Sequence, residues 1–340
     1  MRESLKRMAQ GVVLATLLTG TSALAEPQVY DVPELNGHPG YLTAYEISPD
    51  GIVDKVLILA NGFDVENDSH PLEQIQTGGE YRAIVEELLP LGWDVVMFDY
   101  VRGDIDLKDN ADNLADFIGV IDGVAAGSDY HLAVVGGSMG GIVVRTMFVQ
   151  EHANMGVDTY VSVDSPHHGV FLSPWVDPTA RFGFYVIQGD SQAAFQMTHG
   201  DWEFFNHYGW LEEVEHSAGF MADVIDPMNT LAIALSDGEG SWGLDWEDAV
   251  IHTKYHEVSS FVGTTNGELR SDYMPYHSVV MMDDTSTSMR PRFGYYKYWY
   301  NNTHTSYFDQ KQANPRAEHG APEHIVRQAV DFVLAHGPAE

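Results

Sequence analysis

Cysteine is absent from all 340 residues, so the chain has no disulfide and no thiolate metal site, and its stability must come from a packed core. Positive charge is scarce: 17 Lys and Arg stand against 50 Asp and Glu, a formal net charge of −33 at pH 7. A surface of that sign repels phosphate backbones, which sets nucleic acid aside as a partner. Apolar runs of membrane-spanning length are missing too, so no transmembrane segment is expected in the mature chain. His167-His168, and His252 with His256 at helical spacing, invite a metal reading, yet no HExxH pair, cysteine cluster or Asp-rich loop accompanies them. Neither a catalytic metal nor a cofactor is expected.

What is present begins with an export signal. Arg2, Lys6 and Arg7 make a basic start, Gly11 to Gly20 is an apolar stretch too short to cross a bilayer, and Ala23-Leu24-Ala25 is a small-x-small cleavage site. Residues 1–25 are expected to be removed, leaving a periplasmic or secreted product. Hydrophobic residues make up 44% of the chain, enough for a sizeable core in the remaining 26–340. Losing the signal deepens the acidic imbalance, because it removes three basic residues and only one acid, Glu3.

Along the chain, strand-like and helix-like patterns alternate. Tyr41 to Ile47 alternates in polarity, and Val53 to Ala60 reads as a central strand, apolar nearly throughout. An amphipathic helix follows at about Gly79 to Leu89, then a strand from Trp93 to Tyr100 and a helix from about Asn110 to Ala126. Leu132 to Val135 and Thr159 to Asp164 are two further strands around another helix, and Thr230 to Leu235 resumes the order. Such alternation predicts an α/β fold, a mostly parallel sheet with helices on both faces. Two stretches interrupt it. Residues at about 170–228 are rich in aromatics, including Trp175, Phe184, Trp202, Trp210 and Phe220, and are expected to form a cap insertion after the sixth strand with an apolar lining. Residues at about 242–312 hold strand-like runs at Glu257 to Thr264, His277 to Met282 and Phe293 to Tyr300, read as a second insertion. Pro322 opens a last helix, stopped by Gly337-Pro338.

The chemistry concentrates in His131 to Val144, HLAVVGGSMGGIVV. A buried strand breaks at Gly136 to Gly141 and a helical pattern follows at once, the context in which Gly-x-Ser-x-Gly carries meaning. Glycines flanking Ser138 permit a strained turn that lifts its hydroxyl clear of the sheet, making Ser138 the candidate nucleophile. The competing reading is a glycine-rich turn in which Ser138 merely caps the helix.

LILANGF (57–63), GGSMGG (136–141) and DSPHHG (164–169) together resemble bacterial lipases and esterases of the α/β-hydrolase superfamily. More narrowly, NGFD, SMGGIVVR and DSPHHG are similar to segments of GPI inositol-deacylases. The resemblance implies the α/β-hydrolase fold and a Ser-His-Asp triad in the chain order Ser, acid, His. His319, just before the last helix, is then the expected base, with His324, His277 and His304 as rivals. Asp237, in the loop after the seventh strand, is the expected acid; Asp164, after the sixth, is the main alternative, with Glu239, Asp283 and Asp284 behind. The backbone amides of Phe63 and Met139 are the expected oxyanion donors, the Asn61 side chain mattering less than the backbone. Asn61 stands where these enzymes usually carry histidine. The implied activity is cleavage of carboxylic esters through an acyl-enzyme, on a small-molecule, lipid or polyester substrate. An amidase or acyltransferase would use the same residues, and a binding protein could keep the fold with an idle site.

Overall fold

The computed structural model describes residues 28–32, 40–63, 71–77, 79–125, 130–163, 165, 170–172, 191–197, 207, 210, 211, 213, 214, 217, 219–235, 279–281, 310–314 and 323–338. The expected signal at 1–25 and the runs at 257–264 and 293–300 lie outside them.

Three strands open the fold, β1 (Gln28–Val32), β2 (Tyr41–Glu46) and β3 (Lys55–Ala60), followed by two short helices, α1 (Pro71–Thr77) and α2 (Gly79–Leu88). Then come β4 (Asp94–Tyr100), α3 (Leu107–Val124), β5 (His131–Gly137), α4 (Met139–Glu151) and β6 (Thr159–Val163). The rest comprises β7 (Val170–Leu172), α5 (Gln192–Met197), a π-helical turn at Met221–Ile225, β8 (Asn229–Leu235), β9 (Val279–Met281), β10 (Gln310–Asn314) and α6 (Glu323–His336). Eight strands form one sheet in the order β1-β2-β4-β3-β5-β6-β8-β10. The β1–β2 and β2–β4 pairings are antiparallel and all others parallel.

Residue alternation explains why both faces are covered. Val56, Ile58, Val96, Phe98, Leu132 and Val134 point into one core with Leu114, Phe117 and Ile118 of α3 and Ile142, Val143 and Met147 of α4. Leu57, Leu59, Val95, Met97, Ala133 and Val135 point into the other, with Ile84, Val85 and Leu88 of α2 and Val330 and Val333 of α6. A period-two strand that is apolar at every position can only sit between two helical layers. Burying each Leu, Ile or Val contributes on the order of 1.5–3 kcal/mol, so the central strands anchor the fold.

Most expected elements are observed within a few residues. The helix expected from Asn110 starts at Leu107, because Asp106 caps it: its carboxylate accepts the Lys108 N–H at 2.9 Å. Among the elements that escape the sequence reading are β1, α1, β7 and β10. β10, QKQAN, has no apolar run; among the described residues it is an edge strand paired with β8 alone. Within the aromatic stretch, α5 docks on the start of α3. Ala193 N–H donates to the Asp104 carbonyl at 3.1 Å, Leu107 N–H to Gln196 Oε1 at 2.8 Å, and Gln192 Nε2 to Asp106 Oδ2 at 2.6 Å. Further on, His207 Nε2 lies 3.2 Å from Thr146 Oγ1 of α4, and Lys108 Nζ sits 4.1 Å from the Trp210 ring centroid. β7 and β9 pair antiparallel as a separate two-stranded sheet, so the chain near 170 and near 280 meets at one place.

Candidate active site

β5 ends at Gly137 and α4 begins at Met139, so Ser138 alone makes the connection. It takes φ 50° and ψ −122°, a conformation that costs an L residue on the order of 1–3 kcal/mol. Two backbone bonds hold the turn: Ser138 N–H donates to the Val163 carbonyl at 2.8 Å, and Gly141 N–H to the Ser138 carbonyl at 3.2 Å. The Ser138 side chain makes no cap hydrogen bond to α4, which removes the capping reading.

The outer glycines of the motif are required by close approach. A Cβ on Gly136 would lie 2.6 Å from Gly141 N, and one on Gly140 would lie 2.6 Å from the Asn61 carbonyl oxygen. α4 therefore starts pressed against the ends of both β5 and β3. Gly137, by contrast, has open space where a Cβ would stand.

The segment after β3 lies directly against the serine. A Cβ on Gly62 would stand 3.2 Å from Ser138 Cβ and 3.9 Å from Ser138 Oγ. Asn61 fixes this segment at three atoms. Its N–H donates to the Phe98 carbonyl at 2.9 Å, its Nδ2 to Asp99 Oδ2 at 2.6 Å, and its Oδ1 accepts the Gly62 N–H at 3.0 Å. Asp99 is fully buried at the end of β4, and its Oδ1 accepts the Tyr100 N–H at 2.7 Å. Burial, and then the Asp99 charge, push the buried Tyr100 phenol well above its ordinary pKa.

The Asn61 side chain occupies the Gly62 amide, and Phe63 carries the next N–H along the segment. Phe63 is half-buried against the core that holds α3 and α4. Met139 is fully buried in the first turn of α4, where backbone N–H groups lack intrahelical acceptors and the helix dipole favours negative charge. The sequence signals that Asp99, a carboxylate at the end of an otherwise apolar run, needs a donor, but not which residue supplies it.

Of the other expected site residues, His319, Asp237 and Asp164 lie outside the described residues, as do His277, His304, Glu239, Asp283 and Asp284. His324 falls in the first turn of α6. The strands that lead to these loops are described. β6 ends at Val163, one residue before Asp164; β8 ends at Leu235, two before Asp237; β10 ends at Asn314, five before His319. Register pairs Gly137 with Val163, Val163 with Ile233 and Leu235 with Asn314, all parallel, so the chain leaves all three at the sheet edge from which Ser138 emerges. Among described histidines, His131 begins β5 at the opposite edge beside Asp158 at 3.2 Å, and its burial lowers its pKa. No group of three or more His, Asp or Glu among the described residues is arranged to hold a metal ion. Nor is any described helix long and apolar enough to cross a membrane.

A model of the alpha/beta hydrolase family matches residues 57–317, most of the chain. Solved structures with a similar fold include a soluble variant of monoglyceride lipase from Saccharomyces cerevisiae, at 12% identity over 94% of this chain and 98% of that one, TM-score 0.49. An α/β serine hydrolase without lid from Xanthomonas campestris matches at 12% over 94% and 100%, TM-score 0.45. Est1E from Butyrivibrio proteoclasticus matches at 11% over 92% and 99%, TM-score 0.42. A search of the curated proteins gives no match. These findings do not support the narrower likeness to GPI inositol-deacylases.

Proposed function

Since the chain belongs to the alpha/beta hydrolase family, we propose that it is an exported serine hydrolase cleaving carboxylic esters through an acyl-enzyme intermediate. The observation that carries this reading is the Ser138 turn, a non-glycine residue held at φ 50° between a strand and a helix with a second loop against it. Such strain at an unbonded position would relax; here the surrounding sheet over-determines it.

In the proposed reaction Ser138 Oγ attacks the ester carbonyl while His319 takes its proton. His319 returns that proton to the leaving alcohol, and water repeats the sequence in reverse to release the acid. Asp237, or Asp164 in its place, orients the imidazole. The Phe63 and Met139 amides receive the oxyanion, which the N-terminus of α4 further stabilises. The aromatic stretch at about 170–228 would cover the serine and accept acyl or aromatic groups, on small-molecule, lipid or polyester esters.

The test is covalent labelling of the full chain with a fluorophosphonate, repeated with Ser138→Ala. Labelling is expected to vanish in the variant; labelling that persists unchanged would overturn Ser138 as nucleophile.

A further inference from the structure

Resting on the serine-hydrolase reading, we propose that Asp99 is a positioning residue of the oxyanion hole, acting through Asn61. The buried Asp99 carboxylate accepts one hydrogen bond from its own strand, at Tyr100 N–H, and one from the neighbouring strand's end, at Asn61 Nδ2. The second bond sets which way the Asn61 amide faces. With Nδ2 turned to the carboxylate, Oδ1 must face the Gly62 N–H, and it does so at 3.0 Å.

The consequence for catalysis is directional. Gly62 backbone lies against Ser138, as the 3.2 Å approach of its missing Cβ to Ser138 Cβ shows. Were the Gly62 amide free, it would compete for the oxyanion; tied to Asn61, it leaves the Phe63 N–H as the donor from this loop. Asp99 touches no substrate. It polarises the brace and keeps the peptide plane from rotating, so its effect belongs to the transition state and not to substrate affinity.

Hydrogen-bond direction supplies a sharp test. In Asp99→Asn the new amide keeps the Tyr100 bond with Oδ1 and turns an NH2 toward Asn61, so donor meets donor. Asn61 must flip, and its NH2 then faces the Gly62 N–H. In Asn61→Asp two carboxylates meet. In the double variant Asn61→Asp/Asp99→Asn the central bond reverses, and all three hydrogen bonds are satisfied again. The readout is the second-order rate of Ser138 labelling by a fluorophosphonate, split into its maximal rate and half-saturation term, with melting temperature alongside. A fluorophosphonate reacts through the same oxyanion hole and needs no knowledge of the natural substrate.

Both single variants, and Asn61→Ala, are expected to lose about 10- to 100-fold in maximal rate with the half-saturation term within about threefold, below the loss for deleting a donor outright. The swapped pair is expected to recover at least tenfold over the slower single variant. If the single variants label within twofold of the parent, or the swap is no faster than the slower single, the brace is overturned while Ser138-dependent labelling stands. If the parent shows no labelling that depends on Ser138, the hydrolase reading falls and the brace with it.

Discussion

Asp94, at the start of β4, should make the protein lose stability as pH rises, and the size of the loss follows from its surroundings. Its side chain is 1% exposed; Oδ1 accepts the Ser48 N–H at 2.7 Å, and Oδ2 has no partner among the described residues. Burial pushes its pKa up from 3.8 to about 7; the Ser48 bond opposes the rise, and Asp50 and Asp54 add to it. The folded state therefore holds a proton that the unfolded chain has released. The stabilisation is complete below pH 3.8, declines as pH rises toward 7, and is gone above it. At about 1.4 kcal/mol per unit, the part falling between pH 5 and 8 is about 3 kcal/mol. Asp94→Asn keeps the Oδ1 acceptor and removes the titration, although its amide leaves two buried N–H groups, so absolute stability is the wrong readout. The measurement is urea unfolding by tryptophan fluorescence at pH 5 and pH 8 for both proteins. The parent should lose about 3 kcal/mol more than the variant across that interval. Equal losses, within about 0.5 kcal/mol, would refute the assignment of a buried, protonated Asp94.

His207 should act with the opposite sign. Burial, with help from Lys108 and Arg145 and against Asp106, pushes its pKa down from 6.5 to about 3, so the folded state holds the ring neutral. Its contribution is present above pH 6.5 and lost as pH falls toward 3; between pH 7 and 5 the parent should lose about 2 kcal/mol more than His207→Gln, and parallel losses would sink this account. For the acid of the triad, turnover of a p-nitrophenyl ester by Asp237→Asn and Asp164→Asn decides. Asp237→Asn should slow turnover by about 10⁴-fold and Asp164→Asn far less; the reverse ranking would move the role to the loop after β6.

The scaffold was legible in the sequence because its signals are local. β3, β4 and β5 are short apolar runs, and α2, α3 and α6 carry the spacing of a buried face, so pattern alone locates them. Elements whose stability is borrowed were not legible. β10 has only polar residues and alanine, and gains its place by pairing with β8 at the edge. The start of α3 was misread by three residues because the cap at Asp106 lies outside the apolar periodicity. At the site, Gly-x-Ser-x-Gly announced the Ser138 turn since its glycines answer contacts within that stretch and at the end of β3. Asn61 and Asp99 are separated by 38 positions and meet only when β3 and β4 pair, so no local pattern could couple them.

Holding a serine in a strained turn is inexpensive on this scaffold. The distortion costs on the order of 1–3 kcal/mol, about what one fully buried Leu or Ile contributes. Around the turn, Ile58, Leu132, Val134 and Val161 are completely buried. Relaxing Ser138 would break its bond to Val163 and move α4, whose first turn has no room to shift toward β3 or β5. The Ser138 turn is thereby held by the ends of three neighbouring strands, β3, β5 and β6, and by the Asn61-Gly62 segment that follows β3. Described residues of the aromatic stretch dock on the start of α3 and on Thr146 of α4. If that stretch covers the serine as proposed, substitutions in it would change what reaches Ser138 and leave the bonds that hold its turn in place.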